Sequence, residues 1–327
     1  MITSGTYEQR RPVDRPSASD WVELLASYRR GRAIAVARDG ERAAAEQSAA
    51  LGHELVLGAP VAVAAGLFDP AAGPGAAAGE QDNWVGPLWE VLASRHPWHE
   101  LAGLPIGEPV RTLMAHTRVL LGEDLTGEPG GEAPFVLRPW EQAGWEAADR
   151  VTEYRVGGAA ATPHFPLPDS REGLAPVALP PGVPATVAGW PATAALGGLC
   201  EWLAARCVRG TALQAAALFA PGRGGAPVTG GYLPFAAAYP ALVRAGSGAG
   251  AYGRSGGAAR GRLAVWRVLA AMADPVGRCS VAEVDALVAR MRCFTWCGPT
   301  DEVWHLHLTL EDPATGLAWA VSGCDYD

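Results

Sequence analysis

From residue 17 onward the chain is written largely in helical spacing. Trp21, Leu24, Leu25 and Tyr28 recur at i, i+3, i+4 and i+7 behind Ser17, a residue suited to an N-cap, which predicts a first helix with one buried stripe. An alanine-rich helix is expected over 41–57 and a shorter one over 61–68. The pattern returns at 88–95, 108–121 and 139–151. Val110, Leu113, Met114, Thr117 and Leu121 make the apolar face of the middle one, and Pro139 stands where a first-turn proline is tolerated. Farther on, Leu196, Leu199, Cys200, Leu203 and Cys207 fall on one helical stripe. Helices are also expected over 211–219, 232–244 and 262–273. Ser280 and Glu283 form a capping box, behind which Val284, Leu287, Val288 and Met291 line the face of a helix ending near Arg292.

The period changes only at the end. Trp304, Leu306, Leu308 and Leu310 alternate along one strand, turn residues occupy 311–316, and Leu317, Trp319 and Val321 return in strand register. A β-hairpin over 303–321 follows. A lone hairpin is marginally stable, so it must pack on the helices before it. The expected fold is mainly α, about nine or ten helices packed as helical hairpins and closed by this C-terminal β-hairpin.

Prolines break the pattern between 157 and 191, where Pro163, Pro166, Pro168, Pro176, Pro180, Pro181, Pro184 and Pro191 leave no room for a long helix. This segment reads as a linker between an N-terminal helical domain (17–156) and a C-terminal one carrying the hairpin (192–327), with 1–16 a disordered tail.

Composition removes several chemistries. All 26 basic residues are arginine. Without lysine there is no pyridoxal-phosphate or Schiff-base nucleophile, and no P-loop or kinase lysine for nucleotide phosphates. The net charge of −8 and the lack of a long basic face argue against nucleic acid as a partner. No secretory signal is legible at the start, and the nearest approach to a membrane-length apolar run, 55–68, is cut by Pro60. Six unevenly spaced cysteines fit reduced thiols. A cytoplasmic protein outside the membrane is expected. Much of the apolar content is alanine, so the 12 tryptophans are expected to fill the core.

The densest group of metal-ligating residue types is Cys293, Cys297, His305 and His307, with Cys324 beyond. On a helix carried past Arg292, Cys293 and Cys297 would be one turn apart, and His305 and His307 share one face of a strand. Thiolates and imidazoles suit tetrahedral zinc. The competing reading is two solvent-facing histidines beside two buried thiols. His96-Pro-Trp-His-Glu100 lacks the i, i+4 histidine pair of a zinc protease. Gly248-Ala-Gly-Ala-Tyr-Gly253 spells a dinucleotide fingerprint, but a helical segment stands where the delivering strand should be. Acidic residues at 311, 312, 325 and 327 read as solvated, and Arg254, Arg260 and Arg262 sit beside glycines that could help hold a phosphate.

The tail 304–327, ending Trp-Ala-Val-Ser-Gly-Cys-Asp-Tyr-Asp, resembles the end of an uncharacterised protein family of high-GC bacteria, a domain of unknown function. Gly250-Ala-Tyr-Gly-Arg254 and Leu263-Ala-Val-Trp-Arg267, separated here by the insertion 255–262, are similar to another block of that family. The resemblance covers the last third of the chain and implies no activity, cofactor or catalytic residue. Two functions follow from the residues themselves. One is a cytoplasmic protein-interaction or regulatory module without catalysis, its partner a protein. The other is a zinc-dependent enzyme or sensor with its site at the junction of the 280–291 helix and the hairpin. No signal sets an oligomeric state.

Overall fold

The computed structural model describes residues 17–77, 86–129, 131–155, 160–161, 173–181, 185–220, 227–248, 256–276, 279–297 and 304–325. The expected tail 1–16 and about half of the proline-rich segment lie outside them. Ser17 caps α1 (Ala18–Asp39) through a capping box with Asp20, and the stripe headed by Trp21 and Tyr28 is buried against α2 (Glu41–Gly58) and its neighbours. Two short helices, α3 (Val61–Ala65) and α5 (Trp98–Leu101), flank α4 (Leu88–Arg95). The helix α6 (Val110–Leu120) buries Val110, Leu113, Met114 and Thr117 as its spacing predicts. Only one turn of the helix expected over 139–151 forms, α7 (Pro139–Gln142), with Pro139 in its first turn.

The strands β1 (Glu153–Tyr154) and β2 (Ala160–Ala161) pair with each other. Then follow β3 (Ala175–Val177), α8 (Pro191–Gly197), β4 (Ala204–Arg209), α9 (Ala212–Ala216), β5 (Val228–Leu233), α10 (Phe235–Gly246), α11 (Ala258–Ala273) and α12 (Val281–Arg290). The chain ends in β6 (Arg292–Trp296), β7 (Trp304–Asp312) and β8 (Leu317–Asp325).

The expectation of a mainly α chain with sheet confined to one hairpin is overturned. The hairpin exists, β7 against β8 with Leu310 opposite Trp319 and Leu308 opposite Val321. It is the centre of a six-stranded antiparallel sheet in the order β3-β5-β6-β7-β8-β4, and the fold is mixed α/β. Of the missed strands, β6 is buried on both faces, which erases the alternation that marks a half-exposed strand. The expected one-turn spacing of Cys293 and Cys297 is therefore strand spacing. Likewise Leu196, Leu199, Leu203 and Cys207 are buried as expected while Cys200 is half-buried, but α8 ends at Gly197 and Cys207 belongs to β4.

One sheet face carries Cys293, Leu306, Leu308, Leu310, Leu317, Trp319 and Val321 into the main helical core, and α9 covers part of the other, over Phe294, Trp296, Ala318 and Ala320. That main core runs from Trp21 to Val321 and draws side chains from both sides of the 157–191 segment. Trp89 and Trp266, both fully buried, supply the volume that alanine does not, and Trp296 and Trp319 do the same beside the sheet.

The hub is α11, which packs on α6, α8, α10 and α12 and is buried around nearly its whole circumference. It begins at Ala258, ahead of the expected start at 262, because Gly261 is an interior helical residue. A Cβ there would lie 2.0 Å from the carbonyl oxygen of Val243, so the crossing of α10 and α11 requires a residue without one. Helix propensity alone favours alanine over glycine by about 1 kcal/mol. We expect Gly261→Ala nevertheless to destabilise the protein by about 1–3 kcal/mol through overpacking, read as a lower midpoint in urea unfolding; a raised midpoint would refute the close crossing.

Candidate functional site

The residues expected to hold zinc do not converge. Alternation along β6 sends Cys293 into the helical core, fully buried, where loss of solvation pushes its thiol well above the usual range. Trp296 points to the opposite face and stacks on His307 with ring centroids 5.5 Å apart. His305 lies 5.6 Å from His307 on that second face. Cys297, of the same parity as Cys293, follows β6 and donates its N–H to the carbonyl of Thr229. What the hairpin does bring together is His307, Ser322 and Cys324. His307 Nδ1 is 2.8 Å from Ser322 Oγ, and its Nε2 is 4.0 Å from Cys324 Sγ. Among the described residues no group of three or more histidines, cysteines or carboxylates is arranged to hold a metal ion.

Other candidate residues have structural partners. His96 caps the C-terminus of α4 and pairs with Glu100 at 2.9 Å. Glu311 accepts the N–H of Ala212 at the start of α9, and Asp312 pairs with Arg290 at 2.7 Å. The dinucleotide-like segment lies outside the described residues beyond Gly248, and α10 precedes it as a helix, as expected.

The structure also assembles a polar centre that no spacing announced. Glu141 of α7 and Arg262 of α11 form a fully buried ion pair. Oε1 of Glu141 accepts from Arg262 Nε at 2.8 Å, Tyr239 Oη at 2.6 Å and Trp266 Nε1 at 3.0 Å. Its Oε2 accepts from Arg262 Nη2 at 3.0 Å and the Arg138 N–H at 2.9 Å. Burial opposes the charge on Arg262, and the adjacent Glu141 carboxylate more than restores it. Burial, together with the same carboxylate, holds the Tyr239 phenol protonated, so it donates.

Arg262 turns its remaining donors to the carbonyls of Pro134 and Val136 and to His116, whose Nδ1 is 2.6 Å from Nη1. A guanidinium can only donate, so Nδ1 accepts and the imidazole proton sits on Nε2. That buried N–H has no hydrogen-bond partner among the described residues. Burial, and then the Arg262 charge, push the His116 pKa down to about 3.

A second polar anchor holds the start of α11. Glu90 of α4 accepts the Ala258 N–H at 2.8 Å and the Tyr154 hydroxyl at 2.6 Å. Burial raises its pKa, and these two donors partly offset that. With both ends of its polar face pinned, α11 presents Arg260, Leu263, Ala264 and Arg267 at i, i+3, i+4 and i+7 to a cavity of about 630 Å³. Leu113 of α6 and Leu199 after α8 complete an apolar floor, with Thr112 and Glu132 at the rim. Arg267 Nε is 2.5 Å from Glu132, and both side chains are more than half exposed. The volume lies in the range of small-molecule sites, and its mix of apolar floor and few polar groups is theirs as well. The α11 stripe would have been visible in the sequence had the helix been started at Ala258 rather than Arg262.

The fold and cavity define a mixed α/β protein with a ligand-sized cleft where helices from both halves of the chain meet. The chain belongs to a family of unknown function (DUF6183), whose profile matches residues 61–312. The match reaches far upstream of the C-terminal third that carries the sequence resemblance, and it takes in the buried ion pair and the cavity. No curated protein and no solved structure matches the chain.

Removing one partner of a buried ion pair strands the other charge, so Glu141→Ala is expected to cost about 3–5 kcal/mol in chemical denaturation; a loss below 1 kcal/mol would contradict the burial described. The His116 environment predicts a pH dependence as well. The unfolded chain takes up this proton near the ordinary value of 6.5 and the folded chain only near 3, so stability falls as pH drops through this window. Between pH 6.5 and 5 the contribution is about 2 kcal/mol, at about 1.4 kcal/mol per unit. His116→Asn keeps an acceptor for Arg262 and should lack this component. Parallel pH–stability curves for the two proteins would show the assignment to be incorrect.

Proposed function

We propose that this protein is a regulatory module that binds a small molecule in the cavity between α6, α8 and α11, with a protein partner as the reader of the occupied state. The observation that carries the reading is the cavity itself, of about 630 Å³ at the junction of helices from both halves of the chain. Its lining supports binding over chemistry. The polar groups there are two guanidinium groups, a threonine hydroxyl and a glutamate already paired with Arg267. A guanidinium orients an anion and does not exchange protons near neutral pH. Among the described residues no helix is long and apolar enough to cross a membrane.

A thermal-shift screen with a panel of small organic metabolites tests the reading, with Thr112→Trp as a variant that fills the cavity from the rim. A ligand at a hundred times its dissociation constant should raise the melting temperature of a chain this size by about 4 °C. The shift should vanish in Thr112→Trp. Shifts that are unchanged by the substitution would move binding elsewhere.

A further inference from the structure

We propose that Cys324 is a nucleophilic thiol that exchanges with low-molecular-weight disulfides, with His307 as its proton acceptor and Ser322 as the residue that positions His307. The site lies on the outer face of the sheet and is independent of the cavity. In the β7–β8 hairpin His305 stands opposite Cys324 and His307 opposite Ser322, and opposed residues share a face. Cys324 is therefore the diagonal neighbour of His307, and its sulfur lies 4.0 Å from Nε2. The Ser322 hydroxyl is 2.8 Å from Nδ1, and Trp296 stacks on the imidazole with ring centroids 5.5 Å apart. A neutral imidazole carries one proton. With it on Nδ1, donated to Ser322, Nε2 presents its lone pair to the thiol. Nucleophile, base and orienting group thus stand in the order that thiol activation requires.

The thiol is reachable and firmly held. α9 covers β8 at Ala318 and Ala320, whereas Ser322 and Cys324 are half-buried farther along the strand, beside the exposed Ala204 of β4. Between them Gly323 passes so close to Trp202 that a Cβ would lie 2.0 Å from its carbonyl oxygen, which clamps the strand at the site. Burial pushes the thiols of Cys200, Cys207, Cys279 and Cys293 toward the protonated form, which makes them poor competitors. In the exchange Cys324 passes its proton to His307 Nε2 while its sulfur attacks one sulfur of the disulfide. That S–S bond breaks as the new one forms, and the departing thiolate takes the proton from His307. Cys324 is oxidised to a mixed disulfide, half of the reagent is reduced to a thiol, and His307 returns to its neutral form. Attack on sulfur develops no oxyanion, so these three residues suffice, whereas acyl transfer needs oxyanion donors as well.

The neutral disulfide 4,4′-dithiodipyridine tests this on the reduced full-length protein in buffer containing a chelator, with each labelled cysteine located by peptide mass spectrometry. Rates are taken for the folded protein and for the protein in urea, each relative to N-acetylcysteine in the same solution. A free thiol is only a few per cent thiolate near neutral pH, so a positioned proton acceptor should speed the exchange by about tenfold. Cys324 should therefore label first, about tenfold faster folded than unfolded. His307→Gln should erase that margin in the folded protein and leave the rate in urea unchanged, with circular dichroism as the check on folding. Ser322→Ala should lose part of the margin and Ser322→Thr, which keeps the hydroxyl, should restore it; this pair decides if His307→Gln does not fold. Labelling of Cys324 no faster in the folded protein than in urea would overturn the proposal. So would a folded rate that His307→Gln leaves intact, and a rate indifferent to Ser322→Ala would remove the positioning role.

Discussion

A carboxylate and a guanidinium with no exposed surface hold the helical half of this protein in place. Glu141 and Arg262 are each taken out of water, at a cost of several kcal/mol per ion that Coulomb attraction offsets only if the remaining lone pairs and protons are also used. Here they are. Five donors reach the Glu141 carboxylate, and Arg262 spends its other donors on His116 and two carbonyls. The partners come from α6, α7, α10, α11 and the 134–136 segment, so the pair sets the rotation of α11 about its own axis. An apolar contact would tolerate a few degrees of slippage; a planar fork bonded on every side does not.

The cavity is a consequence of that rotation. With Arg262 and Trp266 turned inward to Glu141, and the N-terminus of α11 held by Glu90, the stripe of Arg260, Leu263, Ala264 and Arg267 must face the gap toward α6 and α8. α10 also approaches α11 closely at Gly261, beside this stripe. The proposed ligand site is thus built on rigid helices, and its two arginines are delivered by the same element that carries the buried one.

The sheet plays a different part. Its inner face extends the hydrophobic core, and its outer face is partly covered by α9. The strand period of two separates Cys293 from the two histidines, however close they stand in the sequence. Proximity along a chain says little about convergence when the intervening elements are strands with opposite-facing side chains.

Several elements were legible before any coordinates. Ser17 and Ser280 announced the starts of α1 and α12, the 88–95 and 108–121 patterns matched α4 and α6, and the shared face of Leu306, Leu308 and Leu310 in the hairpin followed from alternation. These signals are local: a cap needs three residues, and a half-buried stripe shows its period. The sequence also determined the limits of the chemistry, since a chain without lysine cannot use one. Tertiary structure alone decided the rest. β6 is buried on both faces and shows no alternation, so it could not be read locally. Residues 116, 141, 239 and 262 meet only because helices distant in sequence pack around α11. Nothing in the spacing of Arg260 and Arg262 tells which is entombed with a carboxylate and which lines a cavity; the difference is a rotation on one helix, and packing sets it.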